Sequence, residues 1–119
     1  FRLGIIEESL ENKEILEFKT YFVSQYVENV PEYECPIWHT NEYHVAKEKI
    51  CELLDLLKDD LKTTWYIHAF NEGKLYVVLS GKWFEIALHK DESWNEMIEY
   101  GVNHAKVERR FLESIPLHI

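Results

Sequence analysis

Glycine, proline and cysteine are all scarce in this chain of 119 residues, which contains four, three and two of them. Four glycines leave no room for the glycine-rich loops that bind phosphates or dinucleotides, and the Gly-x-Ser-x-Gly motif of a hydrolase nucleophile is absent. The two cysteines, Cys35 and Cys51, are too few for a disulfide scaffold. They fit a reducing compartment, so we expect a cytoplasmic protein.

Positive charge is also scarce, since 13 Lys and Arg stand against 22 Asp and Glu and give a formal net charge of −9. Nucleic acids and anionic membranes are bound through clustered Lys and Arg, so neither is an expected partner. The chain has no run of about 18 apolar residues, which excludes a transmembrane helix on sequence grounds. The remaining candidate partners are proteins, small ligands and further copies of the chain.

The acidic charge is unevenly distributed along the chain. Residues 1–60 hold six basic and 14 acidic side chains, net −8, whereas residues 61–119 hold seven and eight, net −1. One interpretation is a set of solvated helix faces, and the other is an acidic surface that attracts a basic protein partner. With 46% hydrophobic and 14% aromatic residues and no linker-like stretch, residues 1–119 are predicted to form a single globular domain.

The hydrophobic pattern predicts an α+β fold with an antiparallel sheet and two main helices. Strands are predicted at residues 3–6, 21–30 and 37–45, with an acidic helix after the first of them and an extended tail over 111–119. The main helices are predicted at 46–61 and at 92–104, the second of them capped by Asp91. Cys51 borders the apolar stripe of the first main helix, so we expect a buried, inert thiol.

Residues 63–89 predict a three-stranded meander, because two short turns separate apolar runs. A three-residue loop, Asn71 to Gly73, would pair Ile67 with Val77, and the two-residue loop Ser80-Gly81 would pair Val77 with Phe84. This register places one set of apolar side chains on a single core face, against which we expect both helices: Trp65, Ile67, Ala69, Leu75, Val77, Leu79, Phe84, Ile86 and Leu88.

The same register brings polar and aromatic side chains together on the second sheet face. His68 would lie opposite Tyr76, and Tyr76 opposite Glu85, at the ~5 Å spacing of cross-strand neighbours. The candidate ligand-binding residues are therefore Tyr66, His68, Tyr76, Trp83 and Glu85. His68 could transfer a proton near neutral pH, and the aromatic rings could hold a ligand. The alternative is a half-exposed sheet face without a ligand.

Cys35, His39 and His44 are weaker candidates for a metal site, and we expect no metal and no cofactor. The His-x4-His spacing differs from that of the helical zinc motifs, and on a strand His39 and His44 would point to opposite faces. Cys35 and His39 could instead form a nucleophilic pair, although the sequence contains no feature that lowers the pKa of the thiol.

Two segments of the second half resemble small uncharacterised bacterial proteins: the run Trp65-Tyr66-Ile67-His68, and the run from Leu75 to Phe84 followed by a helix ending at Tyr100-Gly101. The resemblance implies no assigned activity and no catalytic residue.

The sequence therefore favours a cytosolic, non-catalytic binding or interaction domain that uses the aromatic sheet face for a protein partner or for self-association. Two alternatives stay open. One is a small hydrolase-like enzyme that uses His68 with Glu85, or Cys35 with His39, with or without a metal. The other is an acidic inhibitor or immunity-type protein that masks a basic partner.

Overall fold

A computed structural model describes residues 1–11, 22–29 and 37–115 of the chain. Their strands are β1 (Arg2–Ile6), β2 (Phe22–Asn29), β3 (Ile37–His44), β4 (Ile67–Phe70), β5 (Leu75–Leu79) and β6 (Lys82–Ile86). Their helices are α1 (Ile50–Asp60), α2 (Ser93–Asn103) and α3 (Arg109–Leu112), with a 3₁₀ helix at Glu7–Ser9. The six strands form one antiparallel sheet in the order β2-β3-β1-β4-β5-β6, which confirms the predicted α+β class.

Most predicted elements are present, and the differences lie at their ends. The first main helix begins at Ile50 rather than at residue 46, because a turn closed by the bond from the Lys49 N–H to the Ala46 carbonyl precedes it. Phe111 and Leu112 are helical and not extended as predicted. The predicted acidic helix lies largely outside the described residues, as do positions 116–119 of the tail.

The helices cover opposite faces of the sheet, so the prediction that both lie on one face is wrong. The apolar stripe of α1 is buried, as expected, against the face that carries Leu3, Ile67 and Tyr76. The stripe of α2 packs on the face that carries Val77 and Phe84. We call these the α1 face and the α2 face.

Cys51 is exposed on α1, which contradicts the predicted buried thiol.

The register of the β4–β5 hairpin differs from the prediction by one residue. Phe70 pairs with Leu75 and His68 with Val77, so the loop has four residues rather than three. The Asn71 side chain causes the difference, because its Oδ1 accepts the N–H groups of Gly73 and Lys74, each at 2.8 Å. With this side-chain turn, the loop does not need the positive φ at Gly73 that the prediction required.

The β5–β6 hairpin has the predicted register, with Val77 opposite Phe84 and Tyr76 opposite Glu85. Gly81 adopts a φ of 93°, the left-handed conformation that a two-residue hairpin loop needs.

The change at the first hairpin moves Ile67 and Ala69 to the α1 face. All five residues of β5 are buried, because both faces of this strand are covered.

Candidate functional site

The five predicted ligand-binding residues lie on two different faces of the sheet. Tyr76, Trp83 and Glu85 share the α1 face, where the Tyr76 and Trp83 rings meet edge to face with centroids 5.5 Å apart. Tyr66 and His68 lie on the α2 face, where the His68 ring stacks on Phe70 at 5.5 Å. The predicted pairing of His68 with Tyr76 is therefore wrong, and the five side chains do not form one surface.

The α1-face group serves the packing of α1. Tyr76 is buried, and the Trp83 indole Nε1 donates a hydrogen bond of 2.8 Å to Asp55 on α1. Glu85 is exposed and forms an ion pair with Lys74 at 3.2 Å. Burial, together with the nearby charge of Glu85, raises the pKa of the Tyr76 hydroxyl. The bond from Trp83 to Asp55 connects the helix to the sheet, and a ligand-binding role for the three residues stays a prediction.

The predicted metal candidates also separate. Cys35 lies outside the described residues. On β3, His44 Nε2 contacts Glu42 at 2.7 Å, and Arg2 pairs with the same carboxylate at 3.5 Å. His39 contacts Glu8 instead, because an odd separation along a strand directs two side chains to opposite faces.

His39 belongs to a cluster that sequence reasoning missed. Its ring approaches Glu7 and Glu8 of the 3₁₀ helix, and one ligand-type atom from each of the three residues lies within 4.8 Å of the others. Glu8 accepts the His39 backbone N–H at 2.7 Å through Oε1, and its Oε2 lies 2.6 Å from His39 Nδ1. The two acidic residues directly follow β1, but no local sequence signal places them beside His39.

An amide network holds the second carboxylate of the cluster. Glu7 Oε1 accepts hydrogen bonds of 3.2 Å from both Gln25 on β2 and Asn41 on β3. Asn41 is only 3% exposed, and it also accepts from Gln25 at 2.7 Å and donates to the Tyr43 hydroxyl at 3.2 Å. A buried amide with several partners fixes its neighbours, so the Glu7 carboxylate has a defined position.

The cluster changes the acid–base properties of its members. Burial alone would raise the pKa of the Glu8 carboxyl, but the backbone and side-chain hydrogen bonds from His39 outweigh it and lower that pKa. Burial raises the pKa of the Tyr43 hydroxyl, and the Glu7 charge adds to the effect. Glu8 therefore stays ionised over an extended range of acidity.

Exposed apolar side chains collect at the β2 edge of the sheet, next to this cluster. Val27 is 61% exposed, Ile37 52% and Val23 49%, and these are three of the four large hydrophobic residues exposed in the described part of the chain. Val27 pairs with His39 and Ile37 with Asn29, so Val27 and Ile37 are diagonal neighbours on one face. We call Val23, Val27 and Ile37 the edge patch.

Comparison with protein-family models, with curated proteins and with solved structures finds no match. Among the described residues, no helix has the length and apolarity needed to span a membrane.

Proposed function

We propose that this protein is a non-catalytic interaction domain that binds an extended, basic segment of a protein partner along the outer edge of β2. The observation that carries the proposal is an eight-residue edge strand beside exposed Val23, Val27 and Ile37. An interaction domain was also the sequence-based expectation, but the proposed surface is the β2 edge instead of an aromatic sheet face.

The backbone of β2 is suited to receive another strand. Within the described residues it pairs only with β3, so its other side presents alternating N–H and C=O groups. The bulge between Phe22 and Ser24 lies at one end, and the pairing continues without a further shift from Ser24 to Asn29. This regular part is roughly 20 Å long at ~3.3 Å per residue, enough for six residues of an added strand.

Proteins commonly protect edge strands with lysine, proline or short length. The strand β2 contains neither lysine nor proline, and it is longer than the strand at the opposite edge, β6, which begins with Lys82. The edge patch adds apolar surface beside this backbone, which no other described strand covers. A partner strand with alternating apolar side chains would cover both the outer backbone of β2 and the edge patch.

Charge determines the kind of partner. The strands β2 and β3 contain no Lys or Arg in their sequences. The first 60 residues carry a net charge of −8, so a basic segment would be attracted and a second copy of the chain repelled. The acidic inhibitor or immunity-type function is one form of this proposal, since its partner would also be basic.

Fluorescence anisotropy with a defined peptide tests the proposal. The probe is a labelled seven-residue peptide that alternates lysine and valine, and its control has prolines in place of two valines. Both peptides carry the same charge, but proline lacks the backbone N–H that strand pairing needs. We expect the first peptide to bind and the proline peptide to bind at least about tenfold more weakly, because its two prolines remove two backbone N–H donors.

Two matched variants locate the binding surface. Val27→Lys places a like charge on the edge patch and should weaken peptide binding at least about tenfold. Leu56→Lys alters the remaining large exposed hydrophobic side chain, which lies on α1, and should leave binding unchanged. Both variants should keep their stability within about 0.5 kcal/mol, since each site is exposed.

Equal binding of the two peptides, or equal loss in both variants, would contradict strand addition at β2. Light scattering behind size-exclusion chromatography provides a separate test. A concentration-dependent dimer that Val27→Lys abolishes would identify a second copy as the occupant and would overturn the proposed basic partner.

A further inference from the structure

We propose that Glu7, Glu8 and His39 form a binding site for a divalent transition-metal cation, with Zn²⁺ preferred. Their ligand-type atoms lie within 4.8 Å of one another, and all three residues are partly buried. The site does not depend on the β2 edge as an interaction surface, so each proposal can fail without the other.

The donor set selects the class of cation. One imidazole nitrogen and two carboxylates suit Zn²⁺ or Mn²⁺, whereas Ca²⁺ and Mg²⁺ prefer sites built from oxygen atoms alone. Zn²⁺ binds such mixed sites more tightly than Mn²⁺. Three protein ligands also leave a fourth tetrahedral position for water or for an anionic ligand, as in zinc sites that are not closed by protein.

The local charge favours a cation. Glu7 and Glu8 are adjacent, half-buried carboxylates, and among the described residues neither forms an ion pair with a lysine or an arginine. By contrast, Glu42 on the other face of β3 is paired with Arg2. A divalent cation would neutralise two negative charges that no lysine or arginine among the described residues balances.

Both carboxylates are already held in place through one oxygen. Glu7 Oε1 is bound by the side-chain amides of Gln25 and Asn41, and Glu8 Oε1 by the backbone N–H of His39. Carboxylates that ligate metals are commonly oriented by such outer hydrogen bonds. The site therefore has three ligands on two elements, the 3₁₀ helix and β3, and a second layer of amides that orients the carboxylates.

The Glu8–His39 pair needs only a small movement to admit the cation. Two ligands of one zinc ion, each at ~2.0–2.2 Å from it, lie roughly 3.0–3.5 Å apart. Glu8 Oε2 and His39 Nδ1 are now 2.6 Å apart, so these two atoms must separate by less than about 1 Å to hold one zinc ion between them. Both side chains are partly exposed, 15% for Glu8 and 41% for His39.

Isothermal titration calorimetry on the full chain tests the site, with protein that has been treated with chelator and dialysed. We expect one Zn²⁺ per chain, weaker binding of Mn²⁺, and no saturable heat with Ca²⁺. Co²⁺ can replace Zn²⁺ for spectroscopy, and its spectrum should lack a thiolate charge-transfer band because the three proposed ligands include no cysteine.

Glu7→Gln and His39→Gln keep side-chain size or polarity but each removes a metal ligand. Each should weaken Zn²⁺ binding at least about tenfold. The matched controls are Glu42→Gln and His44→Gln, which change a Glu–His contact of 2.7 Å on the same strand and should leave the affinity unchanged. Circular dichroism confirms that every variant is folded.

Three results would overturn the proposal. They are an absence of saturable Zn²⁺ binding, an affinity that the Glu7 and His39 variants leave unchanged, and a thiolate band that assigns the metal to a cysteine such as exposed Cys51. Equal loss in the Glu42 and His44 controls would show general surface binding instead and would count against the site.

Discussion

Gly101 allows α2 to approach both the sheet and α3, and substitution by alanine should reveal how close that approach is. Gly101 is the last buried residue of the α2 stripe and lies in the final turn of the helix. A Cβ atom at this position would lie 2.3 Å from Leu112 Cδ1 and 3.4 Å from Leu79 Cδ1. The first distance is far below the ~3.5–4.0 Å of a favourable carbon–carbon contact, so Leu112 would have to move.

Two opposing effects determine the size of the change. Alanine is better than glycine in a helix interior by about 1 kcal/mol. Overpacking of a core costs about 1–3 kcal/mol, and Leu112 is fully buried and cannot turn into solvent. We therefore expect Gly101→Ala to lower the free energy of unfolding by up to about 2 kcal/mol.

The sign of the effect should reverse when the contact is removed. Leu112→Ala deletes the atom that the new Cβ would meet, and by itself it should cost about 2–5 kcal/mol. In that background Gly101→Ala should raise the free energy of unfolding by about 1 kcal/mol, because only the helix preference remains. Urea unfolding followed by tryptophan fluorescence measures all four proteins. Stabilisation of equal size in both backgrounds would refute the described packing of α2 on α3.

Two further predictions concern hydrogen bonds that join elements or begin a helix. Trp83→Phe removes the 2.8 Å hydrogen bond to Asp55 and should lower the free energy of unfolding, measured by urea titration, by about 0.5–1.5 kcal/mol. An altered fluorescence spectrum with an unchanged free energy of unfolding would contradict this. Hydrogen bonds from the Ser93 hydroxyl and backbone N–H lower the pKa of Asp91 below its usual 3.8. The ionised carboxylate therefore stabilises the folded state above pH 3.8. This stabilisation is lost as the pH falls through the pKa that Asp91 has in the folded state. Asp91→Asn should therefore reduce the difference in melting temperature between pH 6 and pH 3, and an unchanged difference would count against the bond.

Local signals made the second hairpin predictable and the first one misleading. Ser80-Gly81 has one common solution, a two-residue loop with glycine at positive φ, and this is what forms. At the first hairpin, the Asn71 side chain adds a residue to the loop and reverses the faces of β4. Because β5 is apolar on both faces, its hydrophobic pattern could not reveal the shift.

The cluster of Glu7, Glu8 and His39 depends on a pairing that the sequence pattern does not indicate. It forms because β1 lies beside β3, with Ile6 opposite Thr40, and brings the following 3₁₀ helix close to His39. Glu8 and His39 are more than 30 residues apart in the chain. The strand β2 lies between β1 and β3 in the sequence, but in the sheet it lies outside them, at the edge. Local spacing could thus predict that His39 and His44 diverge, but it could not provide the partners of His39.

Amide hydrogen exchange by NMR, with and without the lysine–valine peptide, tests the proposed β2 interaction most directly. We predict that the β2 amides facing away from β3 become protected when the peptide is present, because they then donate to its carbonyl groups. The amides of β6, at the opposite edge of the sheet, should exchange at the same rate in both samples. Protection at β6, or no protection along β2, would contradict the proposal.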